Sequence, residues 1–160
     1  MSELAQVLTV VTALGSGLVA GVFFAFSTFV MKALARLPSA QGVAAMQAIN
    51  VAAPTAWFMA ALVGTALASV ALAVTALIAW DDAEVGALQL VGSALYLVQM
   101  VLTISYHIPR NDALDAVDPD SAQAAGHWAG YVKDWTAGNH GRTVACLAAA
   151  TVLTLAVRTM

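Results

Sequence analysis

Residues 4–31 read LAQVLTVVTALGSGLVAGVFFAFSTFVM, an apolar run without a single charged residue. A helix needs roughly 20 apolar residues to cross a bilayer, so this run is long enough to span a membrane. Three more apolar runs follow, at residues 53–80, 86–108 and 143–157. The last reaches spanning length only if its helix begins earlier, near Trp135. We therefore predict an all-α fold, a four-helix transmembrane bundle that forms a single membrane domain over residues 1–160.

The composition supports a membrane protein and excludes several other classes. Hydrophobic residues make up 61% of the chain and charged residues only 9%, whereas soluble domains carry about 25% charged residues. The net charge is −3 and no basic stripe is present, so nucleic acid is not an expected partner. Cys146 is the only cysteine, which excludes an intrachain disulfide. The expected partners are the lipid bilayer and apolar molecules.

The cations predict the orientation of the helices. Five of the six lie after the first run or between the third and fourth runs, and only Arg158 lies on the other side. The five are Lys32, Arg36, Arg110, Lys133 and Arg142. The short turn between runs two and three instead carries Asp81, Asp82 and Glu84. The positive-inside rule therefore places both longer connections in the cytoplasm and both termini outside the plasma (inner) membrane. Trp57 and Trp80 lie near span ends, where aromatic residues anchor at the interface.

The connections predict helices longer than the bilayer is thick. A short helix is expected from Ser39 through Asn50, after Pro38 ends the first span. No proline occurs over residues 121–157, so one continuous helix of roughly 55 Å can form there. Since the hydrocarbon core is about 30 Å thick, we expect the long helices to protrude on the cytoplasmic side and to enclose a partly wet chamber.

Most of the unusual polar chemistry lies between the third and fourth runs. All three histidines and two of the four tryptophans fall within residues 107–142. Polar groups are costly in lipid, so this cluster indicates a functional site. Pro109 is expected to end the third helix, and Asn111 is either a site residue or a turn former. His107 lies inside an apolar run, and an unperturbed histidine titrates near pH 6.5, which suits proton abstraction.

The second half of the cluster predicts one polar face on the fourth helix. At 100° per residue, five large side chains share a stripe of about 80°. They are Trp128, Tyr131, Trp135, Asn139 and Arg142. Trp128 and Tyr131 could also be interfacial anchors, and Arg142 a cation that sets topology. His127 and His140 fall outside the stripe, on opposite flanks.

Four segments carry a resemblance to a known family: residues 17–27 (GLVAGVFFAFS), 46–50 (MQAIN), 109–111 (PRN) and 135–143 (WTAGNHGRT). They resemble the anthrone oxygenase-like family of small four-helix membrane proteins. The resemblance implies oxidation of an anthrone, a tricyclic phenol, to an anthraquinone with O2 and without an established cofactor. The chain departs from the family pattern at His107, where asparagine is usual, and at Gly138, where tryptophan is common.

This hypothesis assigns roles to the candidate residues. His107 or His140 would be the base that removes a proton from the substrate. Arg142 and Asn139 would stabilise the resulting oxyanion. An apolar aromatic substrate would bind against rings and amides, for which the candidates are Trp128, Tyr131, Trp135, Asn111, Asn50 and Phe26.

Two other functions compete with the oxygenase. His107, His127 and His140 could together bind a metal ion or haem, although an unbroken helix does not aim His127 and His140 at one ion. The chain could also be a non-catalytic small-molecule binder or a structural membrane subunit. Gly17 and Gly21 form a pair of small residues suited to close helix packing, either inside the fold or in a homo-oligomer.

Overall fold

The computed structural model describes residues 2–78 and 82–160, so Trp80 and Asp81, both named above, lie outside the described residues. The described chain is all helical and contains no strand. Its helices are α1 Glu3–Leu34, α2 Ser39–Ala52, α3 Ala56–Ile78, α4 Ala83–Asp115 and α5 Ala124–Thr159. Every one except α2 is long and apolar enough to cross a membrane. The predicted all-α, four-spanning fold is confirmed.

The four long helices form an antiparallel bundle. Helix α5 packs against α1 and α4, and α3 packs against the same two helices from the other side. Two hydrophobic clusters hold the bundle together. The central cluster is Val19, Ala20, Phe23, Leu62, Tyr96, Cys146 and Ala149. The second lies at the end that carries α2, and consists of Met31, Val43, Met46, Leu114, Trp128, Tyr131 and Trp135.

Helix lengths differ as the sequence predicts. Helix α3 has 23 residues, whereas α1, α4 and α5 have 32, 33 and 36. At about 1.5 Å per residue α5 is roughly 54 Å long and α3 roughly 35 Å. The excess length lies at the end of the bundle where α2 connects α1 to α3 and where α4 connects to α5. Trp57, at the start of α3, is 88% exposed there.

The expectation that Pro109 ends the third span is wrong. A π-helical turn over Thr103–His107 precedes the proline, and the Ile108 N–H donates to the Thr103 carbonyl five residues earlier. A regular helix resumes at Ile108 and ends at Asp115, with Pro109 in its first turn, where a missing N–H does no harm. Asn111 therefore lies on a helix rather than in a turn.

A second π-helical turn lies in α1, over Phe26–Val30. Each π turn widens its helix by one residue per turn and shifts the face that the following residues present. Both turns contact α5. Such turns occur frequently at functional sites, and these two bring polar groups of α1 and α4 to the same stretch of α5.

Candidate functional site

The predicted stripe on α5 is a buried face. Trp128, Tyr131, Trp135, Asn139 and Arg142 are all less than 9% exposed, and Asn139 is completely buried. The helix is unbroken from Ala124 to Thr159, so residues three and four apart stay on one side. The prediction that these five side chains share one face of the helix is confirmed.

Asn139 is fixed by the π turn of α1. Its side-chain Nδ2 donates to the Phe23 carbonyl at 2.7 Å and to the Ser27 hydroxyl at 2.8 Å. The Ser27 hydroxyl also lies 3.0 Å from that of Thr143, one turn along α5. Both amide hydrogens of Asn139 are thus used within the protein. Its remaining group, Oδ1, is free to orient a donor.

That donor is Arg142. Its Nη2 donates to Asn139 Oδ1 at 2.7 Å, and its Nη1 makes a longer contact of 3.4 Å with Thr103 Oγ1 in the π turn of α4. The guanidinium carbon lies 4.2 Å from the centre of the Phe23 ring and 5.1 Å from that of Trp135. Its Nε is buried without a hydrogen-bond partner. Among the described residues this cation contacts only neutral groups and pairs with no carboxylate.

His107 ends the π turn of α4 and is 1% exposed. Its Nδ1 lies 3.1 Å from the Leu102 carbonyl. Since a carbonyl only accepts, Nδ1 carries the hydrogen and the neutral ring has its lone pair on Nε2. Nε2 is buried and has no partner within the part of the chain that the structure describes. The imidazole meets the Trp135 ring edge-on, with centroids 5.2 Å apart.

Asn111 joins α4 to the aromatic part of the stripe. Its Oδ1 accepts from the Tyr131 hydroxyl and from Trp135 Nε1, both at 2.9 Å. This arrangement depends on the helical course of α4 beyond Pro109, which carries Asn111 alongside α5. Two large aromatic side chains are consequently held in fixed positions by a single amide.

The aromatic rings form a stack along α5. Trp128 and Tyr131 lie almost parallel with centroids 5.9 Å apart, and Tyr131 and Trp135 follow at 6.3 Å. Phe26, half-buried in the π turn of α1, tilts against Trp135 at 5.6 Å. Helix α2 covers the Trp128 end, where the missing side chain of Gly42 makes room for the indole. The rings thus contact one another, and their predicted role in binding a flat substrate stays a prediction.

Asn50 lies at the margin of this cluster. Its Nδ2 donates to Asp115 Oδ1 at 3.0 Å in an exposed position. Its neighbour Gln47 donates to the carbonyls of Leu114 and Val117, at 3.0 and 2.8 Å, and so satisfies the last turn of α4. These contacts dock α2 onto the end of α4.

The other two histidines do not join His107. His127 and His140 are exposed, and they line separate grooves on different sides of α5. The described residues contain no group of three histidine, cysteine or acidic side chains that could hold a metal ion. The alternative site of His107, His127 and His140 is therefore not assembled. The structure also does not bring His140 to Arg142, because two residues on a helix differ by about 200° in direction.

Several residues of the site were not identified from the sequence. Ser27 and Thr103 hold Asn139 and Arg142. Tyr106 lies against His107 with ring centroids 5.3 Å apart, and its hydroxyl donates to the Asp134 carbonyl. A signal was present in the third run, where polar residues recur at spacings of three and four. These residues are Gln89, Ser93, Tyr96, Gln99, Thr103 and His107.

An open groove of about 670 Å³ lies beside the cluster, between the end of α4 and the start of α5. Arg110, Tyr131 and Asp134 line it, and Gly126 and Gly130 lie along its α5 wall. The volume falls within the range of small-molecule sites, about 300–1,000 Å³. It is large enough for a molecule of three fused rings.

Comparison with known proteins supplies one match. The sequence model of the family described as anthrone oxygenase matches residues 53–152, more than half of the chain. The matched segment contains His107, Asn111 and the whole buried stripe of α5. No curated protein and no solved structure matches the chain.

Proposed function

This chain belongs to the anthrone oxygenase family, and we propose that it is a membrane-embedded oxygenase that oxidises a planar phenolic substrate of the anthrone type with O2. The observation that carries the proposal is the buried Arg142 guanidinium, which pairs with no carboxylate among the described residues and lies between two aromatic rings. A buried cation of this kind is stabilised by a bound anion. The enolate of a flat aromatic ketone is such an anion.

The reaction needs a base, an oxyanion site and O2. His107 Nε2 takes a proton from the ring methylene of the substrate, which leaves an enolate. Arg142 stabilises the enolate oxygen. The electron-rich carbon then gives two electrons to O2 and forms a carbon–oxygen bond to it, and the peroxide anion takes the proton back from His107. Loss of water from the resulting hydroperoxide leaves a carbonyl, so one oxygen atom enters the quinone and the other enters water.

The remaining residues position His107 and Arg142. Asn139 uses its amide hydrogens on α1 and its oxygen on Arg142, so we assign it to orienting the guanidinium rather than to the oxyanion. Asn111 holds Tyr131 and Trp135. The faces of Tyr131 are stacked against Trp128 and Trp135, so the substrate rings would contact the part of Tyr131 that lines the groove. The apolar substrate would partition into the bilayer, which we propose to be the plasma membrane with both termini outside.

Oxygen uptake by the purified protein in lipid nanodiscs, with anthrone as substrate, tests the proposal. We expect uptake above the spontaneous rate and formation of anthraquinone. Arg142→Gln should lower turnover by about 10²–10³, as loss of an oxyanion donor does. Arg158→Gln removes a cation at the opposite end of α5 and serves as the matched control. Uptake by the wild type no faster than the spontaneous reaction would favour a non-catalytic binding protein.

A further inference from the structure

The wall of α5 that lines the open groove continues inward to His107. Gly126, Gly130, Asp134 and Gly138 follow one another at a spacing of four, so they form a row of neighbouring positions that winds slowly round the helix. A side chain added at Gly126 or Gly130 would meet nothing within 4 Å. One added at Gly138 would collide with Tyr106, whose Cε1 lies 2.4 Å from the position of the added carbon. The groove is thus open at Gly126 and Gly130 and ends at Asp134, and Tyr106 covers the next glycine of the row, Gly138.

Tyr106 is the side chain that fills it. Its ring lies in the notch at Gly138, and its hydroxyl donates to the Asp134 carbonyl at 3.0 Å. The Arg110 guanidinium covers a face of the ring, 3.4 Å from its centre, and donates to the Tyr106 carbonyl. Tyr106 is only half-buried, and its contacts are a single hydrogen bond and ring faces. These are contacts that a rotation about the side-chain bonds can break and remake.

His107 lies directly behind this ring. Its Cε1, which is bonded to Nε2, lies 3.0 Å from the position of a carbon added at Gly138. Nε2 is buried and unpartnered, so an unsatisfied acceptor lies at the inner end of the filled notch. Buried acceptors normally have partners, and a group that entered the notch in place of Tyr106 would supply one.

We propose that the groove between α4 and α5 is the docking site for the substrate, a flat fused-ring phenol, and that Tyr106 is the gate between this groove and His107. The phenol would lie against the open glycine face, accept a hydrogen bond from Arg110 and donate one to Asp134. This inference rests on the proposed function for the identity of the ligand, but not for the gate itself.

Chemical modification of the histidines tests the gate without any substrate. Diethyl pyrocarbonate acylates accessible imidazoles, and peptide mass spectrometry resolves the three sites. In the wild type, exposed His127 and His140 should react quickly and His107 slowly. Tyr106→Ala should speed the reaction at His107 by about tenfold, because a hydrogen bond and a ring contact no longer close the notch. The rates at His127 and His140 should not change.

Two matched variants complete this test. Tyr106→Phe keeps the ring and should keep most of the protection. Ile104→Ala truncates an exposed side chain of the same helical segment and should leave His107 as slow as in the wild type. Equal rates at His107 in the wild type and in Tyr106→Ala would overturn the gate.

The docking site is tested with 1,8-dihydroxyanthraquinone, whose binding quenches tryptophan fluorescence. Gly130→Phe places a ring in the groove at a position where an added Cβ meets nothing within 4 Å, and should weaken binding by about tenfold, the value of one aromatic contact. Gly64→Phe places the same ring on the exposed face of α3, where nothing lies within 4 Å, and should not change the affinity. Unchanged binding in Gly130→Phe, or no binding to the wild type, would overturn the site. Binding without oxygen uptake on anthrone would instead overturn only the proposed function.

Discussion

Arg142 lies close to the boundary of the apolar part of α5. It precedes Thr159 by 17 positions, so it lies about 26 Å from that end of the helix. An arginine at the centre of a bilayer costs about 2.5–3.5 kcal/mol on insertion scales. Near the boundary the cost is lower, and Asn139 Oδ1 and the faces of Phe23 and Trp135 reduce it further.

Asn139 is the residue whose loss should do most damage to this arrangement. Asn139→Ala removes the hydrogen bond to Arg142 and one of the two hydrogen bonds of the buried Phe23 carbonyl and of the Ser27 hydroxyl. We expect a loss of about 1–3 kcal/mol in unfolding free energy, the usual effect of an unsatisfied buried group. Equilibrium unfolding in mixed micelles measures this loss in unfolding free energy. Asn50→Ala loses one exposed bond to Asp115 and should change stability by less than about 1 kcal/mol. Equal losses of stability in Asn139→Ala and Asn50→Ala would contradict the structural role given to Asn139.

His107 should be distinguishable from the other two histidines in kinetics. If Nε2 is the base, His107→Asn should lower turnover on anthrone by about 10²–10⁴, the usual contribution of general base catalysis. His127→Asn and His140→Asn, which alter exposed side chains, are the controls and should retain the wild-type rate. If the His107→Asn variant turned over as fast as the wild type, another residue would be the base.

At the scale of the element, periodicity predicted the helices and the buried stripe of α5 because a regular helix repeats every 3.6 residues. It could not predict the π turns, since each inserts one residue into that repeat. The rule that proline ends a helix predicts a stop at Pro109, but the helix continues past it after the π turn. Serine and threonine of spanning helices commonly bond to their own backbone, as Thr28 does to the Phe24 carbonyl. The roles of Ser27 and Thr103 therefore depend on which helix lies opposite, which a single sequence does not specify.

The contact of α2 with α5 can be tested at one glycine. A carbon added at Gly42 would lie 2.5 Å from Trp128 Cε2, so Gly42→Ala must push the indole or α2 outward. We expect a destabilisation of about 1–3 kcal/mol from overpacking, together with a change in tryptophan fluorescence. Gly126→Ala is the matched control, because its added methyl meets nothing within 4 Å. Helix propensity should make that variant neutral or more stable by up to about 1 kcal/mol. A stable Gly42→Ala protein with unchanged fluorescence would show that α2 is loosely docked.

For the whole molecule, the bundle brings the α1–α2 and α4–α5 connections to one end, together with five of the six cations. The same end carries the aromatic stack, the open groove and α2. The positive-inside rule then predicts that the site opens toward the cytoplasm. An apolar substrate would reach it from the inner leaflet or the cytosol, and not from outside the cell.

Cysteine labelling of intact cells tests this topology. Ala83 begins α4 at one end of the bundle and Ala116 follows α4 at the other, and both are exposed. The native Cys146 is fully buried and should give little background. A membrane-impermeant maleimide should therefore label Ala83→Cys in intact cells, whereas Ala116→Cys should react only after the membrane is permeabilised. The reverse pattern would invert the topology and place the groove, Tyr106 and His107 on the outer face, so that substrate would have to arrive from outside.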